Sequence, residues 1–389
     1  MKKRAIVIAS VASTIDQFCM NDIKLLSVEY EVHVAANFIN GNNTSLERIQ
    51  EFKEKLDKLG IKYFNICFSR KPISFLNLKA YKDIKNILNT YQYNLIHLHT
   101  PVASMITRLA NKRKKHSKQI VLYTAHGFHF YKGASLLNWL IYYPLEKFLS
   151  KQTDVLITIN DEDYSIASRK FKSKQILKIP GVGVNIDEFN RENINIEFVK
   201  ESIGIPKDSF MLLSVGELNK NKNHKVVIEA LSKLHQKDIY YVVCGKGNLK
   251  NKLIKLANKH NVNDRVRLLG FRQDVSNIYK AANLFIFPSR REGLSLALME
   301  AMASEKAVIC SNIRGNSDLI KQELGGYLVG NNSSEYRKRV IELYNNRNLL
   351  SDFGKFNSKF VQNFSLNVVS GEMDSIYKGL DKYIENNFS

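Results

Sequence analysis

Two glutamates of the segment FIFPSRREGLSLALMEAMA, residues 285–303, have a spacing that could serve sugar binding. The apolar run ending at Pro288 predicts a strand, and the pattern from Leu294 predicts a helix. Glu292 then lies in the loop before the helix and Glu300 lies two turns along it, where carboxylates could accept hydrogen bonds from sugar hydroxyls. The alternative is a helix-capping Glu292 with Glu300 on the surface, and this spacing taken alone favours that alternative.

The predicted start of this helix could bind an anion. Gly293 lets the chain turn closely, and the free N–H groups near Leu294, Ser295 and Leu296 form a positive helix end suited to a diphosphate. Gly245, which follows the apolar run YYVVC, could admit a nucleotide closely, although an ordinary turn glycine explains it equally well.

Short apolar runs separated by helix-length amphipathic segments predict the elements that position these residues. The first half contains AIVIA, VHVAA, YFNI, LIHLH, IVLYTA and VLITI, and the second half contains FMLLSVG, IYYVVCG, RVRLLG, LFIFP and AVIC. This pattern is typical of parallel sheets with helices on both faces, and 389 residues exceed one ordinary core. We therefore expect an α/β protein with two Rossmann-like domains, their sheets facing across a central cleft that holds the ligand.

The sequence also predicts the domain boundaries and the cellular compartment. We expect domains at 1–185 and 186–364, and a C-terminal helix at 365–389 that packs across both. The N-terminal run MKKRAIVIAS imitates a signal peptide but reads better as a first strand, and no apolar stretch is long enough to span a bilayer. Four distant cysteines without a C-x-x-C pair fit buried thiols in a reducing compartment, which suggests the cytoplasm.

The formal net charge of +21 points to an anionic partner. No acidic residue occurs between Asp83 and Glu146, whereas the run 112–118 and Arg108 and Lys132 are basic. Such a span could face nucleic acid, anionic lipid or phosphorylated small molecules, although the run 112–118 alone could equally be a solvated loop. The sequence has no G-x-G-x-x-G after its first strand and no P-loop, which removes the best support for a dinucleotide-dependent oxidoreductase.

The chain resembles glycosyltransferase family 4, a large retaining family with the two-domain GT-B fold. The resemblance rests on the E-x7-E segment, on SVGELNKNKNH at 214–224, and on VRLLGFRQDVSNIYKAANLFIFPSRREGLSLALMEAMA, and it extends over essentially the whole chain. In the first half, NLIHLHTP, LYTAHGFHFYKG and LLNWLIYYPLEKFLSKQTDVLITINDEDY look like the subgroup that builds bacterial capsular polysaccharides and exopolysaccharides.

Carried over residue by residue, the resemblance implies that Lys222 binds the diphosphate of a nucleotide-sugar donor, most simply a UDP-sugar. It implies that Glu300 binds the ribose hydroxyls and Glu292 the donor sugar, with the amides after Gly293 on the phosphates. Glu217 departs from the family, which usually has a phosphate-binding arginine there, so Lys222 or one of the arginines at 290 and 291 would carry more of that role.

The resemblance also implies that His126, in TAHG, faces the donor sugar, where an imidazole could hydrogen-bond a hydroxyl. His97, His99 and His129 are more simply structural. The acidic triplet DED at 161–163 mimics a metal-binding D-x-D, but its place at the start of a helix favours capping. No metal or other cofactor is expected.

The implied reaction retains the anomeric configuration, and its acceptor is a saccharide linked to undecaprenyl diphosphate at the inner face of the membrane. The segment 135–152 could lie in that membrane interface, although a core helix broken near Pro144 is at least as good an explanation. Two other functions compete with this one. A nucleotide-sugar epimerase of the same fold would act without an acceptor, and a basic nucleic-acid-binding protein lacks any recognisable binding motif here.

Overall fold

The computed structural model describes residues 2–69, 74–111, 119–190 and 194–388, with side chains up to Leu380. The chain divides into two compact units, Met1–Gly181 with Val369–Ser389, and Val182–Val368. The predicted domain boundaries and the helix packed across both domains stay predictions. From Val369 onward the last helix belongs to the first unit.

The first unit has a seven-stranded parallel sheet in the order β3-β2-β1-β4-β5-β6-β7 among the described residues. Its strands are β1 (Lys3–Val11), β2 (Tyr30–Asn37), β3 (Lys62–Asn65), β4 (Leu95–His99), β5 (Ile120–Ala125), β6 (Val155–Thr158) and β7 (Gln175–Lys178). Its helices are α1 (Ala12–Phe18), α2 (Met20–Ser27), α3 (Leu46–Lys58), α4 (Phe75–Tyr91), α5 (Pro101–Ala110), α6 (Leu136–Leu149) and α7 (Asp161–Lys170). The predicted first strand is confirmed, and it is buried on both faces from Ala5 to Val11, as an inner parallel strand requires.

The second unit has a six-stranded parallel sheet in the order β10-β9-β8-β11-β12-β13, again among the described residues. Its strands are β8 (Phe210–Val215), β9 (Ile239–Cys244), β10 (Val266–Gly270), β11 (Leu284–Phe287), β12 (Ala307–Ser311) and β13 (Gly326–Val329). Its helices are α8 (Ile186–Phe189), α9 (Ile196–Ser202), α10 (Lys225–Leu231), α11 (Lys250–Lys259), α12 (Val275–Ala281), α13 (Leu296–Ala303), α14 (Asn316–Leu319), α15 (Ser333–Asn345) and α16 (Arg347–Phe360). The last helix, α17 (Leu366–Phe388), begins in this unit and continues into the first.

Strand β8 shows how the second sheet is covered. Its residues Phe210 and Leu212 belong to one hydrophobic cluster, and the alternating Met211 and Leu213 belong to the other. Helices therefore bury both faces, and each unit is a Rossmann-like layer structure, which confirms the predicted fold class. The strand order reverses between β8 and β11, so the loops that follow these two strands flank the position where ligands bind in open parallel sheets.

Two predictions about the first unit need correction. Arg108 does not contribute to a basic surface, because it is buried and forms an ion pair of 2.8 Å with Glu146. Helix α6 is not broken at Pro144 but runs through it. The basic run 112–118 lies outside the described residues. Among the described residues, no helix combines the length and apolar composition that crossing a bilayer requires.

The cysteine prediction is also corrected at one position. All four cysteines are unpaired, and Cys19, Cys244 and Cys310 are buried as expected. Cys67 is half-buried, because it follows the short edge strand β3 rather than an inner strand.

Candidate functional site

An ion pair joins the two loops at the switch point of the second sheet. Lys222, in the loop after β8, places its Nζ 2.7 Å from Oε1 of Glu292, in the loop after β11. The ammonium also lies 4.5 Å from the centre of the Phe287 ring. The side chains of both charged residues are only 19% and 13% exposed, so the pair is partly desolvated. In such a pair the ammonium can bind an anion, and the carboxylate can accept a hydrogen bond from a hydroxyl.

Two glycines let the backbone segments around this pair approach closely. A Cβ on Gly245 would lie 1.9 Å from the carbonyl oxygen of Gly216, so any side chain there would collide with the turn after β8. Gly315 has φ of +80°, and its Cβ would lie 2.2 Å from the carbonyl oxygen of Gly293. This packing of backbone on backbone accounts for Gly245 as a close-approach glycine, and its predicted contact with a nucleotide stays a prediction.

Helix α13 starts two residues later than the sequence predicted. Ser295 is its N-cap and Leu296 its first residue, so Leu294 lies in the preceding loop. The difference arises because Ser295 has extended backbone dihedrals, and its carbonyl accepts the first helical hydrogen bond from Met299. The first-turn N–H groups still form a positive end beside Gly293, as a diphosphate site requires.

Glu300 is not a freely exposed surface residue, and Glu292 does not cap α13, whose N-cap is Ser295. Its Oε2 accepts a 2.9 Å hydrogen bond from the hydroxyl of Tyr279, which also donates to the carbonyl of Ala297. Burial raises the pKa of the Glu300 carboxyl to about 7; the Tyr279 hydrogen bond lowers it and the charge of Glu188 raises it. The Tyr279 contact fixes the orientation of the carboxylate, and its other oxygen, Oε1, has no hydrogen-bond partner among the described residues.

Glu217 lies where the family usually has a phosphate-binding arginine, and arginines from other positions contact the loops of this site. Its Oε2 accepts a hydrogen bond of 2.8 Å from Asn219. Arg290 is exposed and donates through Nη2 to Asn223, on the same loop as Lys222. Arg314, which is buried, donates through Nε to the backbone carbonyl of Glu292 at 3.1 Å. Two cations therefore brace the loops that carry Lys222 and Glu292.

His126 lies in the first unit, directly after β5. Its Nε2 is 3.0 Å from Nδ1 of His99, which ends β4. Burial lowers the pKa of His126 to about 4, so the imidazole is neutral at physiological pH. A neutral imidazole has one donor and one acceptor nitrogen, and the His99 contact uses one of them.

One group of potential metal ligands occurs in the described residues: Asp22, His97 and His99 have ligand atoms within 4.8 Å of one another. The Tyr377 hydroxyl lies 2.9 Å from Nδ1 of His97 and hydrogen-bonds Asp22, while Thr124 lies 2.9 Å from Nε2 of His97. The phenol thus hydrogen-bonds two members of the group, His97 and Asp22, whereas Nε2 of His99 has no hydrogen-bond partner among the described residues. The expectation that the protein uses no metal stays a prediction.

The acidic triplet at 161–163 has a structural function. Asn160 is the N-cap of α7 and accepts from the N–H of Asp163 at 2.9 Å. Asp163 is buried and accepts from the backbone N–H of Phe128 and the side chain of Asn160. His129 stacks on Tyr142 with ring centres 4.6 Å apart.

Sequence reasoning missed Tyr279, Arg314, Asp22 and Tyr377. Arg314 follows β12, the neighbour of β11, so a basic residue after an adjacent parallel strand was an available signal. Tyr279 is on α12 and Tyr377 on α17, and no local pattern connects either with its partner.

Comparisons with known proteins agree with this fold. A family model described as glycosyl transferases group 1 matches residues 195–360, and one described as glycosyl transferase 4-like matches residues 8–160. A Bacillus subtilis protein assigned as glycosyltransferase EpsD is 36% identical over 90% of this chain and 89% of its own length. The Escherichia coli UDP-Gal:alpha-D-GlcNAc-diphosphoundecaprenol alpha-1,3-galactosyltransferase is 32% identical over 66% of this chain and 69% of its own. Anabaena HepE, solved with UDP and glucose, superposes with a TM-score of 0.78 at 16% identity, covering 97% of this chain and all of that one.

Proposed function

Because this chain belongs to the group 1 and 4-like glycosyltransferases and has their GT-B fold, we propose that it transfers a sugar from a UDP-sugar to a saccharide linked to undecaprenyl diphosphate. The product would be an intermediate of a bacterial capsular polysaccharide or exopolysaccharide. The observation that supports this most strongly is the Lys222–Glu292 pair at the switch point of the second sheet, beside the start of α13. The named acceptor of the Escherichia coli relative supports the lipid-linked substrate.

In this proposal the second unit binds the donor. The ammonium of Lys222 and the amides at the start of α13 contact the diphosphate. The carboxylate of Glu300, oriented by Tyr279, accepts hydrogen bonds from the ribose hydroxyls, and Glu292 accepts one from the donor sugar. Positive groups fixed on the leaving diphosphate stabilise the negative charge that grows as the bond to the sugar breaks.

The proposed reaction retains the anomeric configuration. The bond between C1 and the phosphate oxygen breaks with both electrons going to the phosphate, and the acceptor oxygen bonds C1 on the same face. The acceptor proton passes to the departing phosphate, so UDP leaves and neither a metal nor a covalent enzyme intermediate takes part. The alpha-1,3 product in the name of the Escherichia coli relative, made from a UDP-galactose donor, supports retention.

Product analysis tests this function. The protein is incubated with individual α-linked UDP-sugars and a polyprenyl-diphosphate-linked GlcNAc, with and without EDTA. We expect an α-linked disaccharide at an unchanged rate in EDTA. A β linkage would contradict retention, loss of turnover in EDTA would contradict the metal-free mechanism, and an isomerised UDP-sugar formed without acceptor would favour the epimerase alternative.

Donor affinity should depend on pH through Glu300. Because its pKa lies near 7, the carboxyl is mostly protonated at pH 6 and mostly ionised at pH 8. Ribose hydroxyls donate better to the ionised form, so we expect the affinity for a UDP-sugar to rise several-fold from pH 6 to pH 8. Titration calorimetry of the wild type and Glu300→Gln checks this. The variant should bind more weakly and lose the pH dependence, and an equal dependence in both proteins would assign it to another group.

We further propose that the first unit rests on the inner face of the cytoplasmic membrane through α6. Leu136, Leu137 and Leu140 are 81%, 64% and 74% exposed, although leucines usually pack inward. Trp139 and Tyr143, on the other side of the helix, pack against the hydrophobic core. The alternative that α6 is purely a core helix is therefore not supported.

Charge complementarity favours an anionic lipid surface as the partner of α6. Lys132, Lys147 and Lys151 are exposed and flank the leucines, which matches helices that lie in a membrane interface. The basic run 112–118, outside the described residues, is a further predicted contact.

Vesicle flotation tests the membrane proposal. We expect binding to vesicles with anionic lipid, little binding to neutral vesicles, and at least about tenfold weaker binding for Leu136→Gln/Leu140→Gln. Phe198→Gln, which alters an exposed apolar residue of α9 in the second unit, is the matched control and should bind normally. Equal binding by both variants would contradict the role of α6, and tighter binding to duplex DNA than to anionic vesicles would favour the nucleic-acid alternative.

A further inference from the structure

Close contacts connect a set of four polar side chains in the first unit. Tyr377 of α17 contacts Asp22 of α2, and Asp22 contacts His99 at the end of β4. His99 in turn contacts His126 after β5. We call these four residues the histidine network. Three of the four residues are buried, and His126 is half-buried. The predicted sugar-binding imidazole is thus the only member with appreciable exposure.

The donors and acceptors of this network can be assigned one after another, beginning with Asp22. Burial raises the pKa of the Asp22 carboxyl to about 7, so at pH 8.5 it is ionised and only accepts hydrogen bonds, and the Tyr377 hydroxyl donates to it. The phenol oxygen then accepts from Nδ1–H of His97, whose Nε2 accepts from the Thr124 hydroxyl. This side branch has one consistent arrangement of protons, and it holds the carboxylate of Asp22 in place.

The other side of Asp22 faces His99. Its Oδ2 lies 3.9 Å from Nε2 of His99, a buried nitrogen without a hydrogen-bond partner among the described residues. At this distance the negative charge favours a proton on Nε2 and disfavours a lone pair there. His99 Nδ1 is then unprotonated, and it can only accept the proton of His126 Nε2 at 3.0 Å. The remaining nitrogen of His126, Nδ1, is left with its lone pair.

We propose that Asp22 and His99 are positioning residues that set the tautomer of His126, so that its Nδ1 accepts a hydrogen bond from a sugar hydroxyl during transfer. The inference rests on the proposed function for the role of His126, but the tautomer itself does not depend on that role. The opposite tautomer would present an N–H at the same position and would donate to the hydroxyl oxygen instead.

Asp22→Asn should reverse the network with almost no change in shape. Tyr377 can still donate to the amide oxygen, and the amide N–H₂ then faces His99 Nε2 and favours its lone pair. His99 Nδ1 becomes the donor to His126 Nε2, and the proton of His126 moves to Nδ1. A catalytic imidazole held in the wrong tautomer loses much of its activity although its geometry is intact, as the serine-protease triad illustrates.

Nitrogen NMR of protein with ¹⁵N-labelled histidine rings, at pH 8.5, reads the tautomers directly. The chain has nine histidines, and His126→Gln and His99→Gln identify the two signals of interest. We expect His126 protonated on Nε2 in the wild type and on Nδ1 in Asp22→Asn. The same variant should lower kcat about 10- to 100-fold and leave KM for the UDP-sugar near its wild-type value.

Control variants distinguish an effect on the His126 tautomer from a loss of stability and from a failure of the proposed function. Asp374→Asn, on the exposed side of α17 where Asp374 pairs with Lys378, should change neither spectrum nor kcat. Tyr377→Phe removes the hydrogen bond that lowers the pKa of Asp22, so its spectrum is recorded at pH 9.5, where the carboxylate stays ionised and His126 should keep its wild-type tautomer. An unchanged His126 signal in Asp22→Asn would overturn the inference, and a reversed tautomer with unchanged kcat would overturn the positioning role. If the wild type transfers no sugar, the proposed function fails while the tautomer result stands.

Discussion

Lys222→Met is expected to lower kcat/KM for the UDP-sugar about 100- to 1000-fold. The ammonium is partly desolvated and fixed by Glu292 and Phe287, so it is arranged for an anion before the donor arrives. Removing it takes away charge stabilisation of the leaving diphosphate, and affinity for UDP alone should fall about 10- to 100-fold. Steady-state kinetics and calorimetric titration with UDP measure the two effects. Lys225→Met, which removes an exposed lysine paired with Glu229 nearby on the chain, is the matched control and should behave as wild type.

Glu292→Gln distinguishes a diphosphate-binding lysine from an ion pair that only holds two loops together. In the unliganded protein the carboxylate holds the ammonium at 2.7 Å, so a neutral glutamine releases Lys222 for the diphosphate. We therefore expect UDP to bind Glu292→Gln at least as tightly as the wild type, while sugar transfer falls because the donor sugar loses an acceptor. Equal weakening of UDP binding by Lys222→Met and Glu292→Gln would contradict a direct contact between Lys222 and the diphosphate.

Most strands of both sheets could be predicted because inner parallel strands are buried on both faces and read as continuous apolar runs. The two strands that sequence analysis missed, β7 and β13, have four residues each and lie at the edges of their sheets. β7 is QILK, in which only two residues are apolar, so it lacks the continuous apolar run of an inner strand. β13 is GYLV, and its first residue is a glycine because Gly326 packs closely against the backbone of Val308. The strand therefore has one apolar side chain fewer to indicate it.

The family resemblance and its motifs predicted which residues form the site, but they did not predict which of these residues contact each other. Lys222 and Glu292 are 70 positions apart and meet because β8 and β11 are neighbours, which depends on strand order and not on spacing. Tyr279 reaches Glu300 from another helix, and this contact cannot be derived from the E-x7-E spacing. The sequence around His99 alone predicts a structural role for it, whereas the register of β4 beside β5 brings it against His126.

The largest expected loss of stability concerns the buried ion pair of the first unit. The guanidinium of Arg108 is bonded to Glu146 at 2.8 Å, lies 4.6 Å from the centre of the Tyr123 ring, and donates to the Ser104 carbonyl. Arg108→Met leaves the Glu146 carboxylate buried without its counter-charge, which typically costs about 3–5 kcal/mol. Trp139, the only tryptophan, is on α6 with Glu146, so its fluorescence reports unfolding of this unit. In urea we expect the midpoint to fall by about 1–2 M.

A double variant shows whether the loss comes from the unpaired charge or from lost packing. Arg108→Met/Glu146→Leu removes both charges and keeps apolar volume, and replacing a buried pair in this way is often neutral. We therefore expect its urea midpoint to return most of the way to that of the wild type. The pair of Arg4 with Glu31 is the surface control: its side chains are 35% and 46% exposed, so Arg4→Met should cost less than about 1 kcal/mol. A double variant as unstable as Arg108→Met would mean that the contacts of the guanidinium with Tyr123 and Ser104, and not its charge, stabilise α5 against α6.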